Sequence, residues 1–593
     1  YRLAGFIACF CVITNLALLV TIMITLQSPF TLPGLAGVVL TIGMSVDANI
    51  LIYERLREEL AGGSSLRLAI RNAYHKALSA ILDSNITSIL VGGILYTIGT
   101  EQIKGFAITL VLGIILSMFT AIYCAKVIMD VIEARHKIST FKMLQLFKRP
   151  NINFMGARRV TVTFSILISI IALVLTVFRG PSILDIDFVG GVSLEVLFEK
   201  PLRIEEVRNK LEYNKENNPN PLKKLGDSAV QIVQESGTAF GTEAVTANTR
   251  YIITTPIPRI KNEEINADEY LNVVRETIKE IFKDNLQFCK FDYTINRVGG
   301  DKENKLDVKI KSSPAINLES LNSVIDDASK RAVQDKLIAG TFRYELSSRD
   351  YNSQDKTKPI AEWDMTAYGA RDGVEVVLSS IKSRLDATPE FQTSTTVGSS
   401  VAGDTRVAGG LAILASLIGI IIYMGVRFKG LAYGFAAAIG LVHDVIVVLG
   451  LIAVSAWVAN WFSILQVSEF KISLAVVAAF LTIIAYSIND TIILFDRVRE
   501  NRGKSPVLTD RMINTAVNQT LSRTVLTSLT TFFVTLILYF LGGQGIHTFA
   551  FAMCVGVAFG TYSTIGVCAP LLYWMIGTSS DKAVIQPIER NAK

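Results

Sequence analysis

The chain contains 593 residues, of which 50% are hydrophobic and only 19% are charged. Its mean hydropathy of +0.41 is too high for a protein whose whole surface faces water, so the composition predicts an integral membrane protein. The net charge of +6 is small and is not gathered in a basic patch, which argues against nucleic-acid binding.

Ten apolar runs are long enough to cross a bilayer, because a membrane helix needs about 20 residues. They fall into two groups of five. The first group is 3–26, 32–53, 77–98, 106–131 and 160–178, and the second is 406–423, 431–454, 472–495, 521–541 and 549–575.

Basic residues predict the orientation of these spans, because lysine and arginine concentrate in cytoplasmic loops. Three loops are strongly basic, whereas the short turns near Ser28, Thr100 and Gln544 carry almost no basic residue. The basic loops hold Arg55, Arg57, Arg67, Arg71 and Lys76; Arg135, Lys137, Lys142, Lys148, Arg149, Arg158 and Arg159; and Arg497, Arg499, Arg502, Lys504 and Arg511. We therefore expect a multi-pass protein of the cytoplasmic membrane with both ends of this sequence inside the cell.

The spans and loops divide the chain into six predicted segments. These are four spans in 1–135, a cytoplasmic linker at 136–158, a fifth span at 159–179, an outer domain at 180–404, five spans in 405–578 and a cytoplasmic tail at 579–593.

The outer stretch mixes two periodicities and predicts an α+β domain. Apolar and polar residues alternate at 192–198 and 251–255, as in strands, and helical patterns occur at 204–211 and 267–282. Residues 213–227, rich in Asn, Lys and Pro, are expected to form a surface loop. This stretch holds Cys289 alone, so the sequence predicts no disulfide framework.

An internal repeat relates the first four spans to the last four. SVDANILIYERLRE at residues 45–58 recurs as SINDTIILFDRVRE at 487–500, and the similarity continues in step, with 84–88 matching 527–531. Both copies have the same sense across the membrane, so we expect two parallel pseudo-symmetric halves. Residues 1–5 match 426–430, which predicts that the first half has lost a span, an outer domain and another span before Tyr1.

Ionisable residues inside the apolar spans are the strongest functional signal. A charge near the bilayer centre costs about 2.5 to 3.5 kcal/mol, and such residues usually face the bundle interior and mark an ion path. Asp47 lies about two-thirds along the second span near Asn49, and Asp490 lies at the corresponding depth of the second half. Asp47 aligns with Asn489, so Asp490 is displaced by one residue. A carboxyl held neutral by a neighbouring hydroxyl is the alternative for Asp47.

The same argument from the cost of a buried charge applies to two further positions. Asp444 lies mid-span beside His443, where either a proton site or a helix–helix hydrogen bond would explain it. Arg523 begins a polar stripe that continues through Thr527, and the repeat places Ala80 at the arginine position. An arginine keeps its charge, so it needs a carboxylate nearby unless it snorkels to the interface.

We expect Arg523 to form a switchable ion pair with Asp490 inside the second half. When Asp490 takes up a proton, the guanidinium would turn to the hydroxyl of Thr524 or Thr527. Asp47 has no arginine in its own half, so we expect its replacement to cost less stability.

The cytoplasmic motifs 54–58 and 496–500 each combine acidic residues with two arginines. They are more simply interpreted as solvated helix ends with orienting arginines than as functional sites. Phosphate-binding loops and HExxH motifs do not occur in the sequence, and its four histidines are scattered, so we expect a transporter and not an enzyme.

Together these motifs resemble the bacterial SecD and SecF protein-export proteins fused into one chain, within the resistance-nodulation-division superfamily. The first half resembles the membrane part of SecD at 43–50 and 53–55. The second half resembles SecF at 185–191 (DIDFVGG), 397–399, 423–428, 443–444, 487–491 and 522–524.

The resemblance implies an accessory subunit of the Sec translocase that uses the proton gradient to assist export after the ATP-driven step. It implies Asp47, Asp490 and Arg523 as the proton relay, protons as the coupling ion and no other cofactor. The implied partners are the SecYEG channel, exported preproteins, SecA indirectly and a small accessory membrane subunit. The outer domain departs from the family, because it is longer than the usual SecF domain.

Two other functions remain open at the level of sequence. One is a proton-driven exporter of small hydrophobic molecules or lipids from the same superfamily. The other is a structural membrane assembly factor in which the buried charges only pair helices.

Overall fold

The computed structural model places the chain in two compact units, residues 1–190 with 398–593, and residues 191–397. The described residues are 3–28, 31–136, 150–226, 228–232, 247–258, 265–297, 305–335, 337–338, 342–348, 360–386, 391–459, 465–505 and 507–584.

The first half of the helical unit contains five helices. They are α1 Leu3–Thr25, α2 Leu32–Ala61, α3 Leu66–Ile98, α4 Glu101–Phe119 and α5 Ala125–His136. A π-helical turn at Thr120–Cys124 joins α4 to α5, so these two helices form one span. The start of α2 is fixed by Thr31, whose side chain accepts a hydrogen bond from the Gly34 amide at 3.1 Å.

The predicted linker at 136–158 is only partly within the described residues, because 137–149 lie outside them. A short turn at Met155–Ala157 leads into α6 Arg158–Arg179. Beyond α6, the short helix α7 Ile186–Val189 ends at Gly190, whose φ of +84° favours glycine.

The second unit mixes strands and helices, as the predicted α+β class requires, and its described residues form two four-stranded antiparallel sheets. Its elements are β1 Gly191–Arg203, α8 Ile204–Asn217, β2 Ala229–Ile232, β3 Ala247–Pro256, α9 Ala267–Ile281, β4 Lys290–Arg297, β5 Lys305–Ile316, α10 Leu318–Gln334, β6 Arg343–Ser347, β7 Ile360–Tyr368, α11 Arg371–Asp386 and β8 Phe391–Val397. The strand orders are β2-β3-β1-β8 and β4-β5-β7-β6.

These orders are those of a duplicated βαββαβ motif whose last strands are exchanged. In chain order the copies are β1 to β4 and β5 to β8, yet β8 pairs with β1, and β4 pairs with β5. Both first strands carry the same register shift, between Leu197 and Leu202 in β1 and between Lys311 and Ile316 in β5. The length of this domain therefore comes from two lobes that share strands.

Each lobe buries its own apolar core between its sheet and two helices. The first core includes Phe198, Val274 and Ile278. The second includes Trp363 and Leu378.

The loop predicted at 213–227 is wrong in its first turn, because α8 continues to Asn217. The side chains of Asn217 and Asn214 explain the extension. Asn217 Nδ2 donates to the Tyr213 carbonyl at 2.9 Å, and the Leu225 amide donates to Asn214 Oδ1 at 3.2 Å.

The second half of the helical unit is completed by six helices. They are α12 Ser399–Arg427, α13 Leu431–Val458, α14 Leu474–Arg502, α15 Asp510–Leu541, α16 Gln544–Ser563 and α17 Ala569–Val584. A π-helical turn at Thr564–Cys568 joins α16 to α17, matching the turn in the first half. The tail beyond residue 584 lies outside the described residues.

Ten helices in the described part of the chain are long and apolar enough to cross a membrane, which confirms the ten predicted spans. The most central is α14, whose apolar window is entirely buried. The two halves meet along two seams, one between α2 and α15 and the other between α3 and both α12 and α14.

The α+β unit is shorter at both ends than the predicted 180–404, because residues 180–190 and 398–404 belong to the helical unit. Backbone contacts explain why the first of these segments belongs there. The Asp185 amide donates to the Ile472 carbonyl at 2.9 Å, and the Ile472 amide donates to the Ile183 carbonyl at 2.7 Å.

Candidate functional site

Small residues bring α2 and α15 close together. Gly43 on α2 faces Thr531 on α15 so tightly that a Cβ on the glycine would lie 3.0 Å from Thr531 Oγ1 and 3.3 Å from its Cα. Close approach at glycine is the usual way in which membrane helices gain contact area. One turn after Gly43, the same face of α2 carries Asp47.

Arg523 and Asp47 form an ion pair across this seam. Arg523 Nη2 lies 2.8 Å from Asp47 Oδ1, and the two side chains are 5% and 14% exposed. Arg523 therefore does not snorkel away from the bundle. Its Nε and Nη1 atoms have no hydrogen-bond partner within the described part of the chain. The carboxylate of Asp47 therefore supplies the counter-charge of this buried cation.

The expected pairing of Arg523 with Asp490 inside the second half is wrong. The physical reason is helix geometry, because one residue turns a helix by about 100°. Asp47 aligns with Asn489, so Asn489 faces the opposite half as Asp47 does, and Asp490 points elsewhere. The cation of the second half consequently meets the carboxylate of the first.

Asn489 occupies the mirrored position on the other seam. When the side-chain amide of Asn489 is oriented so that its nitrogen faces hydrogen-bond acceptors, that nitrogen donates to the Ser84 carbonyl on α3 at 2.9 Å. Ser88 Oγ donates to the Ala485 carbonyl at 3.2 Å. Asp47 therefore takes part in an ion pair, whereas its equivalent Asn489 makes neutral hydrogen bonds.

Asp490 lies within the second half among hydroxyl groups. Its Oδ2 atom accepts a long contact of 3.5 Å from Ser528 Oγ on α15, and Ser528 in turn accepts from Thr561 Oγ1 on α16 at 2.5 Å. The side chain is buried. Asp490 forms no salt bridge within the described part of the chain, so its carboxyl can bind a proton without breaking an ion pair.

Asp444 has the most complete set of partners, and it is 0% exposed. Its Oδ2 atom accepts from Ser487 Oγ at 2.8 Å and from Ser563 Oγ at 2.9 Å, and its Oδ1 atom lies 3.1 Å from His443 Nδ1. These bonds join α13, α14 and α16, as the helix–helix alternative for Asp444 proposes. Sequence reasoning missed the two serines, although Ser487 falls inside the repeated motif.

The other predicted polar residues bond within their own helices. Asn49 Nδ2 donates to the Ser45 carbonyl at 3.2 Å, and Thr527 Oγ1 donates to the Thr524 carbonyl at 3.0 Å. Asn49, Thr524 and Thr527 are all buried. A cavity of about 10 Å³ lined by Asp47, Asn489 and Arg523 adjoins these helices.

Two further contacts, each between an aspartate and a helix distant in the chain, were not predicted. Asp83 on α3 binds Arg427 on α12, with Nε to Oδ1 at 2.7 Å and Nη2 to Oδ2 at 2.5 Å, so the pair is bidentate. Asp187 Oδ2 accepts from the Leu474 amide at 2.9 Å and so caps the N-terminus of α14. The repeat could not reveal either contact, because each joins a residue to a helix distant in the chain.

Comparison with known proteins identifies related chains. A family profile described as "Protein export membrane protein SecD/SecF, C-terminal" matches residues 2–135 and 377–578, more than half of the chain. The "Protein translocase subunit SecDF" of Brucella abortus biovar 1 (strain 9-941) is 29% identical over 96% of this chain and 57% of its own length. That of Bacillus subtilis (strain 168) is 26% identical over 97% of this chain and 61% of its own length.

The fold is also that of a solved relative. The crystal structure of SecDF, a translocon-associated membrane protein from Thermus thermophilus, covers 96% of this chain and 59% of its own, with a TM-score of 0.63 and 24% identity. The chain thus spans a little under two thirds of the length of these relatives. On the profile match, this multi-pass membrane chain belongs to the SecD/SecF family of protein-export membrane proteins.

Proposed function

We propose that this chain acts in an accessory subunit of the Sec preprotein translocase, which uses the proton motive force to promote export after the ATP-driven step. The observation that carries the proposal is the buried Asp47–Arg523 pair, which joins the two halves at one seam. The hydroxyl-bonded carboxyl of Asp490 lies in the adjoining helix.

Protonation of Asp47 supplies the coupling step. A neutral Asp47 no longer offsets the charge of Arg523, and removing one partner of a buried ion pair typically costs about 3 to 5 kcal/mol. That cost favours an arrangement of the halves in which Arg523 finds other partners. A membrane potential of 100 mV contributes about 2.3 kcal/mol per charge moved across it, so the potential can supply a comparable free energy.

Asp490 acts as a second proton-binding carboxyl, which holds the proton before or after Asp47 does. Thr524 and Thr527 follow Arg523 on α15 and are buried, and their hydroxyls are the partners to which the guanidinium turns when Asp47 is protonated. Protons are the coupling ion, and the mechanism uses no other cofactor.

The α+β unit is the part that acts on the exported chain. The chain enters it directly after α7, at Gly190, and leaves it directly before α12, at Gly398. A movement of α7 or α12 would therefore act on its first and last strands through short connections. Its grip on extended polypeptide is inferred from the export role of the named relatives and not from its own residues.

The partners and location follow from the same proposal. The protein works in the cytoplasmic membrane beside the SecYEG channel, with SecA acting indirectly, a small accessory subunit as a further partner and exported preproteins as cargo. The ends of α2 and α14 that carry Arg55 and Arg497 face the cytoplasm, as the basic loops predict.

Two measurements on the full-length protein test the proposal. Proton flux in liposomes that depends on Asp47 supports transport, and its absence supports the structural assembly factor. Crosslinking of the α+β unit to an exported polypeptide in the membrane supports export. Transport of a hydrophobic small molecule or lipid, with no polypeptide contact, would instead favour the exporter.

A further inference from the structure

The two cytoplasmic motifs, interpreted from sequence as solvated helix ends, meet in the structure as one ring of charge. Arg55 lies 2.9 Å from Glu58 on its own helix and 3.6 Å from Glu500 on the other half. Arg497 repeats the pattern, at 2.7 Å from Glu500 and 3.3 Å from Glu58. Each arginine therefore contacts both glutamates, and two of the four ion pairs cross between the halves.

The ring obeys the pseudo-symmetry of the repeat, because Arg55 aligns with Arg497 and Glu58 with Glu500. Orienting arginines at solvated helix ends need no partner on the opposite half. Here, however, the side chain of Arg497 is only 13% exposed, against 55% for Glu500. Arg497 is thus largely buried between α2 and α14, and Glu500 lies on the solvent side of it.

A small cavity separates the ring from the buried ion pair. Its volume is about 40 Å³, and a water molecule takes about 30 Å³ in the liquid. Its polar lining comes from both halves. The polar side chains are those of Glu54, Arg55, Glu58, Asp496, Arg497, Gln519, Thr520 and Arg523.

Arg523 also lines the smaller cavity that contains Asp47. The guanidinium therefore lies between the carboxyl that receives the proton and a chamber that holds two further carboxylates, Glu54 and Asp496. Each of these is held by an arginine of its own helix, Arg57 and Arg499 respectively. The chamber thus offers acceptors for a proton on its way to the cytoplasm.

We propose that Arg55, Glu58, Arg497 and Glu500 close the cytoplasmic end of the proton path, and that the chamber between this ring and Arg523 is the exit through which the proton leaves. This inference rests on the proposed proton-coupled function. The ring pairs are partly exposed, and such pairs are individually weak, so the ring can open in every cycle. Opening would admit cytoplasmic water to the chamber and separate the two halves at this end.

The test is proton flux through the full-length protein in liposomes without an export substrate. Glu58→Gln combined with Glu500→Gln removes the negative members of all four ion pairs while keeping the side-chain size. We expect proton leak to rise about tenfold, which corresponds to about 1.4 kcal/mol of barrier. The leak should return to the background when Asp47→Asn is added, because the proton must still pass that carboxyl.

Glu59→Gln is the matched control. Glu59 is the next residue of α2, and it pairs at 2.6 Å with Lys76 inside the first half, so its replacement should leave the leak unchanged. An unchanged leak in the double variant, or a leak that survives Asp47→Asn, would overturn the gate while leaving the proposed function standing. A wild-type protein with no Asp47-dependent flux in the presence of an export substrate would refute the proposed function, and the gate with it.

Discussion

Asp47 and Asn489 occupy equivalent positions in the two halves, and each bonds to the opposite half. Asp47 binds the Arg523 guanidinium at 2.8 Å on one seam, whereas Asn489 bonds to the Ser84 carbonyl at 2.9 Å on the other. The repeat thus places one polar side chain at each seam, but only the one at Asp47 is ionisable. A proton arriving at this depth therefore changes one seam and leaves the other intact.

This asymmetry predicts a strong energetic coupling between Asp47 and Arg523. Asp47→Asn and Arg523→Gln should each lower the free energy of unfolding by about 3 to 5 kcal/mol, because each leaves one buried group without its counter-charge. The double variant should lose much less than the sum. Thermal and denaturant unfolding of the full-length protein in detergent measures the coupling, and strictly additive losses would contradict the pairing.

Asp490→Asn should behave differently. The carboxyl contacts Ser528 at 3.5 Å and has no salt bridge with the arginine in the described part of the chain. An asparagine oxygen can accept the same bond, so we expect a change in stability below about 1 kcal/mol. Proton flux and gradient-dependent export should nevertheless be lost, since asparagine cannot carry a proton.

The control for Asp490→Asn is Asp490→Glu, which keeps an ionisable carboxyl and should retain part of the flux. Full export with Asp490→Asn would remove this residue from the proton path. It would leave Asp490 with only a structural role.

The sequence was sufficient for the ten spans, the repeat and the α+β class, because each depends on local hydropathy or direct similarity. It also located Asp47, Asp490 and Arg523 through the cost of burying charge. The cost of burying charge does not identify the carboxylate that pairs with Arg523, because that partner depends on which helix packs against α15. The one-residue offset between Asp47 and Asp490 was the available signal, since it turns Asp490 away from the opposite half.

The exchange of β4 and β8 was beyond the reach of sequence for another reason. Both strands have the local pattern of a last strand in a βαββαβ motif, and pattern alone does not say which sheet a strand joins. The Asp444 cluster shows the same limit. Its two serines are distant in the chain, and only packing brings them to one carboxylate.

Gly43→Ala tests the close contact that positions the ion pair. The added methyl group would lie 3.0 Å from Thr531 Oγ1 and 3.3 Å from Thr531 Cα. Overpacking of this kind typically costs about 1 to 3 kcal/mol, and export should fall because α2 and α15 are forced apart. Gly93→Ala is the matched control, since a Cβ there meets nothing within 4 Å. Equal unfolding temperatures for the two variants would contradict the tight seam.

Asp185 lies just before α7, two residues ahead of Asp187, whose carboxylate caps the N-terminus of α14. Burial, together with the nearby charge of Asp187, raises the pKa of Asp185 above its usual 3.8. The folded protein therefore holds this proton at pH values where the unfolded chain has released it. Stability from this group is complete below about pH 4 and is lost as the pH rises through the pKa of the folded state.

Asp185→Asn should remove that dependence while keeping the acceptor that receives the Ile186 amide at 2.8 Å. We expect the unfolding temperature of the full-length variant to fall less than that of the wild type between about pH 4 and neutral pH. Parallel curves for the two proteins would show that Asp185 is ionised at little cost in the folded state. In that case burial would not control its titration, and the carboxylate would act as an ordinary cap of α7.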